Sequence, residues 1–418
     1  MCITLAWSAA SGCRERGGDS RPPDESLKFW HTFDTTETEA LNELLSQRER
    51  AGAAPVEVTR LPFARAMTIL ADVLAAGERC PDLVRIDATW LPGLAERELL
   101  VPAPAKAAGE RDWLPEAIEM ARYGDRLLAL PQAIDGLALI HHKGVFEGAA
   151  IAWPPATVGE LELAATRLRH EARYGLGLRA DGYWYIPFLR GLGGRFSDLE
   201  GGMLHIDEPV AVEALARMGE LFARGVAPSP AAGGEQGSEL ARQFRRGEMA
   251  VVLEGPWLAR ELAGDEGLES LGVTPFPDGG GRGAAPRGAQ LLAVPTCAAA
   301  RDEAWKLARE LTAPELQAAW GRTLGTVPAT RTALAESGEL AEAFYRAFAR
   351  ATPLPRHPVT AELFDDLTPA VRAVAHGDAT AEEALAGVRR SWHRLAKRHG
   401  YELAPRAPQP RDAGADAP

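Results

Sequence analysis

The chain has 418 residues, more than one typical core holds, and suits two lobes. At 46% hydrophobic and 25% charged residues its composition is that of an ordinary soluble globular protein. A formal net charge of −12 with no basic stripe argues against a nucleic-acid partner, and no apolar run approaches the roughly 18 residues of a membrane span.

The opening stretch "MCITLAWSAASGC" is apolar and ends in Ala10-Ser11-Gly12 before Cys13. Residues 1–13 read as the end of a lipoprotein signal with Cys13 as the lipidated residue, which implies export and membrane contact only through that anchor. A start codon set too far downstream explains the missing Lys or Arg and the shortness of the run; a frayed N-terminus is the plainer reading. Residues 14–26 form a polar, flexible tether. Two cysteines remain, Cys80 and Cys297, whose spacing fits a pair or two buried free thiols equally.

From Leu27 strand and helix patterns alternate, which predicts an α/β architecture. "LKFWHTF" is strand-like, and Thr36 with Glu39 has capping-box spacing for a helix towards Ala51. "VEVTRL" is a second strand, "ARAMTILADVLAAG" a helix ended by Gly77, and "PDLVRI" a third strand stopping at Asp87. "AIDGLALI" reads as a buried strand with Asp135 near its start, a costly place for a carboxylate unless something hydrogen-bonds it.

Thr157 and Glu160 predict a capped helix to about Glu171. Asp207, with Pro209 in the first turn, announces the helix that ends at Gly225; Ser238 opens the next, and "MAVVLE" follows as a strand. "LGVTPF" and "LLAVP" are strand-like on either side of a Gly-rich loop. Beyond Arg301 the chain is helical to about His399, with a Pro/Ala-rich tail over residues 404–418.

None of the strong catalytic signatures is present: no G-x-S-x-G, Walker A loop, H-E-x-x-H or C-x-x-C. "GLGLRA" only loosely mimics a dinucleotide fingerprint. His141 and His142 alternate faces of a strand, so their rings cannot share a metal. What recurs is an acid at a strand end beside an aromatic residue or glycine: Asp87 before Trp90, Asp135 before Gly136, Asp181 before Tyr183 and Trp184, and Glu254 before Gly255 and Trp257. Trp30, His31 and Phe33 close the first strand. Ligands of open α/β sheets bind beyond the carboxyl ends of the strands. Carboxylates accept bonds from hydroxyls and indole faces cover C–H patches, so this set suits a neutral polyhydroxylated molecule.

The same pieces carry a resemblance. "LKFWHTF", "PDLVRIDATWLPGLAERELLVP", "LPQAIDGLALIHHKGVF", "MAVVLEGPWLARE" and "FDDLTPAVRAVAHGDATAEEAL" stand in the order of the extracellular solute-binding proteins of ABC transporters, and the chain resembles their maltose-binding-protein-like branch. That resemblance implies a two-lobed type II periplasmic-binding-protein fold with the ligand in an interlobe cleft. Lobe I would take 27–134 and 285–326; lobe II would take 135–284 and 327–403. It implies a non-enzymatic, monomeric receptor needing no cofactor or metal. Such a receptor binds a sugar such as maltose or trehalose, closes by hinge motion and delivers it to ABC permease subunits. The resemblance also places Asp135 and Gly136 at the first crossing between lobes and adds Phe364 as a stacking residue. A polyol or polyamine ligand is the alternative, and a glycosidase using cleft carboxylates the rival from another class.

Overall fold

The computed structural model describes residues 26–403 except 110, 147–150, 170–172, 198–201, 231–235 and 282; Cys13, the tether through residue 25 and the 404–418 tail lie outside the described residues. Twelve strands follow in chain order: β1 (Leu27–His31), β2 (Val56–Arg60), β3 (Leu83–Asp87), β4 (Arg122–Tyr123), β5 (Arg126–Leu127) and β6 (Ala129–Gly136). Then come β7 (Ala138–His142), β8 (Tyr174–Gly177), β9 (Met249–Glu254), β10 (Leu271–Thr274), β11 (Pro286–Ala293) and β12 (Thr352–Pro353).

Strand pairing divides them into two main sheets. The first runs β12-β11-β3-β1-β2, with β6 on the other edge of β11. The second runs β10-β7-β9-β8, and β4–β5 form a small hairpin. The chain leaves the first sheet at Gly136 and enters the second at Ala138, with Leu137 alone between them. It returns at Pro286 and leaves again after β12 for the last two helices, Leu363–His376 and Ala381–Arg398.

Because side chains alternate along a strand, each central strand feeds two cores. On β7, Leu139 joins Tyr185, Phe188 and Trp392, whereas Ala138 and Ile140 join Phe244 and Phe344 on the opposite face. On β11, Ala289, Leu291 and Ala293 pack under Leu70 and Trp90, while Leu292 packs with Phe29, Phe33 and Trp320.

Several local expectations need correction. The first helix is Thr35–Arg50, and its capping box is Asp34 with Glu37, not Thr36 with Glu39. Thr36 is already inside the first turn, so the free N–H of Glu37 goes to the Asp34 carboxylate at 2.7 Å. Thr157 caps as expected, but Glu160 returns its bond to Ala156. Asp207 instead pairs with Arg389 at 2.9 Å, leaving Glu208 at the cap. The helix assigned to Ser238 already begins at Gln236. β11 extends five residues further into the Gly-rich stretch than "LLAVP" suggests, since it starts at Pro286 and that run at Leu291. Cys80 and Cys297 are disulfide-bonded, with their Cα atoms 5.9 Å apart.

Candidate functional site

β3 and β6 flank β11, and that arrangement brings two carboxylates onto one side chain. Gln290 stands opposite Asp87 in the β3–β11 register, and Gly288 stands opposite Asp135 in the β6–β11 register. The Gln290 Nε2 amide donates to Asp87 Oδ2 at 3.0 Å and to Asp135 Oδ2 at 2.8 Å. Asp87 Oδ1 also accepts from the Thr89 backbone N–H at 2.8 Å and from its hydroxyl at 2.6 Å. A bulge puts Gln132 out of register beside Gln290, and its carbonyl accepts from Arg85 Nε at 3.1 Å.

The electrostatics follow from burial. Desolvation, reinforced by the Asp87 charge, pushes the Asp135 carboxyl up to about 7. Burial raises Asp87 as well, against the pull of its Thr89 and Gln290 bonds. The buried guanidinium of Arg85 is committed elsewhere: to Gln132, to Thr32 at 3.2 Å, to Glu37 at 3.6 Å, and over the Phe33 ring at 4.1 Å.

The second lobe supplies the facing wall. Asp181 caps the helix Gly182–Gly191 by accepting from Tyr183 N at 2.9 Å. That helix presents Tyr183, whose phenol is held well above its ordinary range by burial and by the charges of Asp135 and Asp87. Trp184 donates to Leu253 O at 2.8 Å and meets Trp257 edge to face, centroids 6.3 Å apart. Tyr183 contacts Phe364 at 6.4 Å, and Phe364 stacks on Phe196. Behind the indoles Glu254 is fully buried; it bonds Arg179, and Oε2 accepts from Trp257 Nε1 at 3.1 Å. Arg179 lies over the Trp184 ring at 4.5 Å.

Of the residues singled out from sequence, Asp87, Asp135, Tyr183, Trp184, Trp257 and Phe364 form one connected cluster across the two lobes. Asp181 and Gly255 stand just behind it as supports. A Cβ at Gly255 would lie 2.2 Å from the Trp257 ring, so this glycine lets the indole fold back over its own backbone. Gly136 makes room for backbone and a core ring: its Cβ would meet Pro286 O at 2.6 Å and the Phe348 ring at 3.0 Å.

Besides Trp184, which is itself buried in the second lobe's core, three aromatic positions lie beneath the surface. Phe33 is buried against Trp320, and His31 between Phe29 and Phe33 with neither ring nitrogen hydrogen-bonded among the described residues. Burial and nearby Arg85 and Arg60 drop the His31 imidazole to about 4, so it is neutral. Trp90 is buried beside the exposed ring of Phe63, and the half-buried Trp30 packs on the same core. His141 and His142 do point apart, His141 against Trp153 and His142 stacked on Phe244.

Sequence reasoning missed Gln290, Gly288 and Arg179. Arg179 lies in "GLGLRA", whose glycine spacing is the stronger sequence signal; nothing in that run marks the charge two residues before Asp181.

The family model of the bacterial extracellular solute-binding proteins matches residues 34–318. The chain belongs to that family. Among solved structures, this solute-binding protein is similar to the GacH receptor of Streptomyces glaucescens, described unliganded and with acarbose, at 25% identity and a TM-score of 0.80 over 90% of this chain and 99% of that one. It is similar in fold to maltose-bound MalE3 of T. maritima, at 24% identity and 0.78 over 88% and 100% of the two chains. It is likewise similar in fold to a solute-binding protein of Agrobacterium radiobacter in complex with ribitol, at 19% and 0.79 over 90% and 100%. The architecture is the two-lobed, maltose-binding-protein-like fold. The matched family is one of solute-binding proteins, and the Streptomyces relative is described as a receptor. Among the described residues no helix is long and apolar enough to cross a membrane.

Proposed function

We propose that this solute-binding protein is the receptor of an ABC importer for a sugar, a disaccharide such as maltose or trehalose. It holds the sugar between the lobes, closes by hinge motion about the Gly136–Ala138 crossing and hands it to the permease. The observation that carries this reading is the pairing of two carboxylates on Gln290 opposite a wall of Tyr183, Trp184 and Trp257. Acceptors on one side and aromatic faces on the other suit a ring bearing hydroxyls and C–H faces.

The lobes proposed are 27–134 with 285–326 and 135–284 with 327–403, adjusted where Asp135, Gly136 and Thr352–Pro353 pair with the first sheet. Export, a lipid on Cys13 and a monomeric state complete the proposal. Its support is the small-residue run before Cys13 together with the extracellular character of the family.

A thermal-shift screen against sugars, polyols and amines tests it. At about a hundredfold over the dissociation constant a bound sugar adds about 2.7 kcal/mol and raises the melting temperature. No shift with any sugar sinks the reading. Hydrolysis of aryl glycosides that disappears in Asp135→Asn would replace it with an enzyme.

A further inference from the structure

The polar centre of the cleft has acceptors in excess of donors. Asp87 and Asp135 share one neutral amide, Gln290 Nε2, and Asp87 Oδ1 also accepts from the Thr89 backbone N–H and hydroxyl, which leaves Asp135 the less satisfied of the two. Gln290 is 7% exposed, and its own carbonyl Oε1 is buried without a hydrogen-bond partner among the described residues. Asp135 receives one side-chain hydrogen bond, on Oδ2; its Oδ1 points at Gly288, where the Tyr183 hydroxyl also converges. Arg85 is the nearby cation, but its nitrogens are spent on Gln132, Thr32 and Glu37. Around that single guanidinium stand four carboxylates: Glu37, Asp34, Asp87 and Asp135. The facing helix brings Tyr183, a neutral phenol, with Arg190 behind it.

A sugar hydroxyl brings one donor and two lone pairs, so every hydroxyl set here adds acceptors to a site already rich in them. A primary ammonium brings three donors, no lone pair and the missing positive charge. Two carboxyl groups and an unpartnered amide carbonyl offer one acceptor for each of those three donors, and the cation favours and offsets the charge of the carboxylates. We infer that the cleft selects a ligand carrying a protonated amine against Asp87, Asp135 and the Gln290 carbonyl, so that the sugar is an amino sugar. This inference rests on the receptor reading and names the substrate class of the same site.

Calorimetric titration of the purified protein with trehalose, trehalosamine (an amino-deoxy trehalose) and N-acetyltrehalosamine, with spermidine alongside, tests it. The N-acetyl form keeps the nitrogen and removes its charge. The amine should bind at least about tenfold tighter than both neutral sugars. In Asp135→Asn and in Asp87→Asn that ratio should collapse towards one. Neutral sugars binding as tightly as the amine, or a preference that survives both substitutions, overturns the inference and leaves the sugar receptor intact. Binding of spermidine with no sugar bound keeps the ammonium site and removes the sugar receptor. Silence from all four ligands removes both.

Discussion

Asp135 and Gly288 face each other across the β6–β11 pairing, and Asp135 Oδ1 occupies a point 2.3 Å from where a Gly288 Cβ would sit. The Tyr183 hydroxyl lies 3.9 Å from that same Cβ position, so carboxylate and phenol converge at this glycine. Gly288→Ala drives Asp135 off Gln290. Sugar affinity should fall about tenfold or more, with about 1–3 kcal/mol of overpacking cost in urea melts. Affinity within about threefold of wild type would show that Asp135 does not touch the ligand.

Trp257 is half-buried, rests over Gly255 and is anchored to Glu254, while packing against both cores of the second sheet. Its replacement by alanine removes a stacking face and leaves Glu254 Oε2 without its indole donor. We expect a loss of about 2–4 kcal/mol in sugar binding and about 1–3 kcal/mol in stability. Trp257→Phe should recover part of the affinity, because the ring face returns without the N–H. Full affinity in Trp257→Ala would take the indole out of the site.

The ligand-free protein carries a cost at Asp135. The folded state holds this proton up to about pH 7, whereas the unfolded chain releases it near the ordinary aspartate value of 3.8. A carboxyl raised in the fold favours folding at low pH, and that contribution is lost as the pH rises from about 4 through 7. Asp135→Asn should therefore stabilise the free protein by on the order of 2 kcal/mol near pH 8, with little difference near pH 4. Asp34, also raised to about 7, is common to both forms and cancels in the comparison. Urea melts across this range decide it; a variant less stable than wild type at the alkaline end contradicts the burial argument.

The Cys80–Cys297 bridge spans 217 residues and joins the approach to β3 with the exit from β11, at the far end of β3 from Asp87. Its removal in the double Cys→Ala variant should cost about 2–4 kcal/mol and leave sugar affinity within about threefold. A large affinity loss with an unchanged melt would tie the bridge to the cleft instead.

Part of this candidate site was legible because acids stand at strand ends beside glycine or tryptophan, as at Asp87 and Glu254-Gly255-Pro256-Trp257; Asp135 was read near a strand's start, whereas β6 ends just after it and a new strand begins at Ala138. Strand ends are where a doubly wound sheet leaves room, so position along the element carried the signal. Gln290 was hidden because it sits inside a strand among apolar neighbours. Its role depends on cross-strand register with residues 155 and 203 positions away. The same distance concealed the cysteine pairing. His31 and Phe33 were misplaced for another reason: alternation says that side chains face opposite ways, not which face a helix will cover. Trp320 and the Arg85 guanidinium cover that one.

The most direct test of the account is calorimetric titration of one purified sample of wild type and one of Asp135→Asn with the strongest sugar from the thermal-shift screen. The account predicts a one-to-one complex for wild type. It predicts a loss of about ten- to a hundredfold in the variant, the worth of a hydrogen bond to a charged group, with the fold intact. Equal affinities in the two proteins would contradict it.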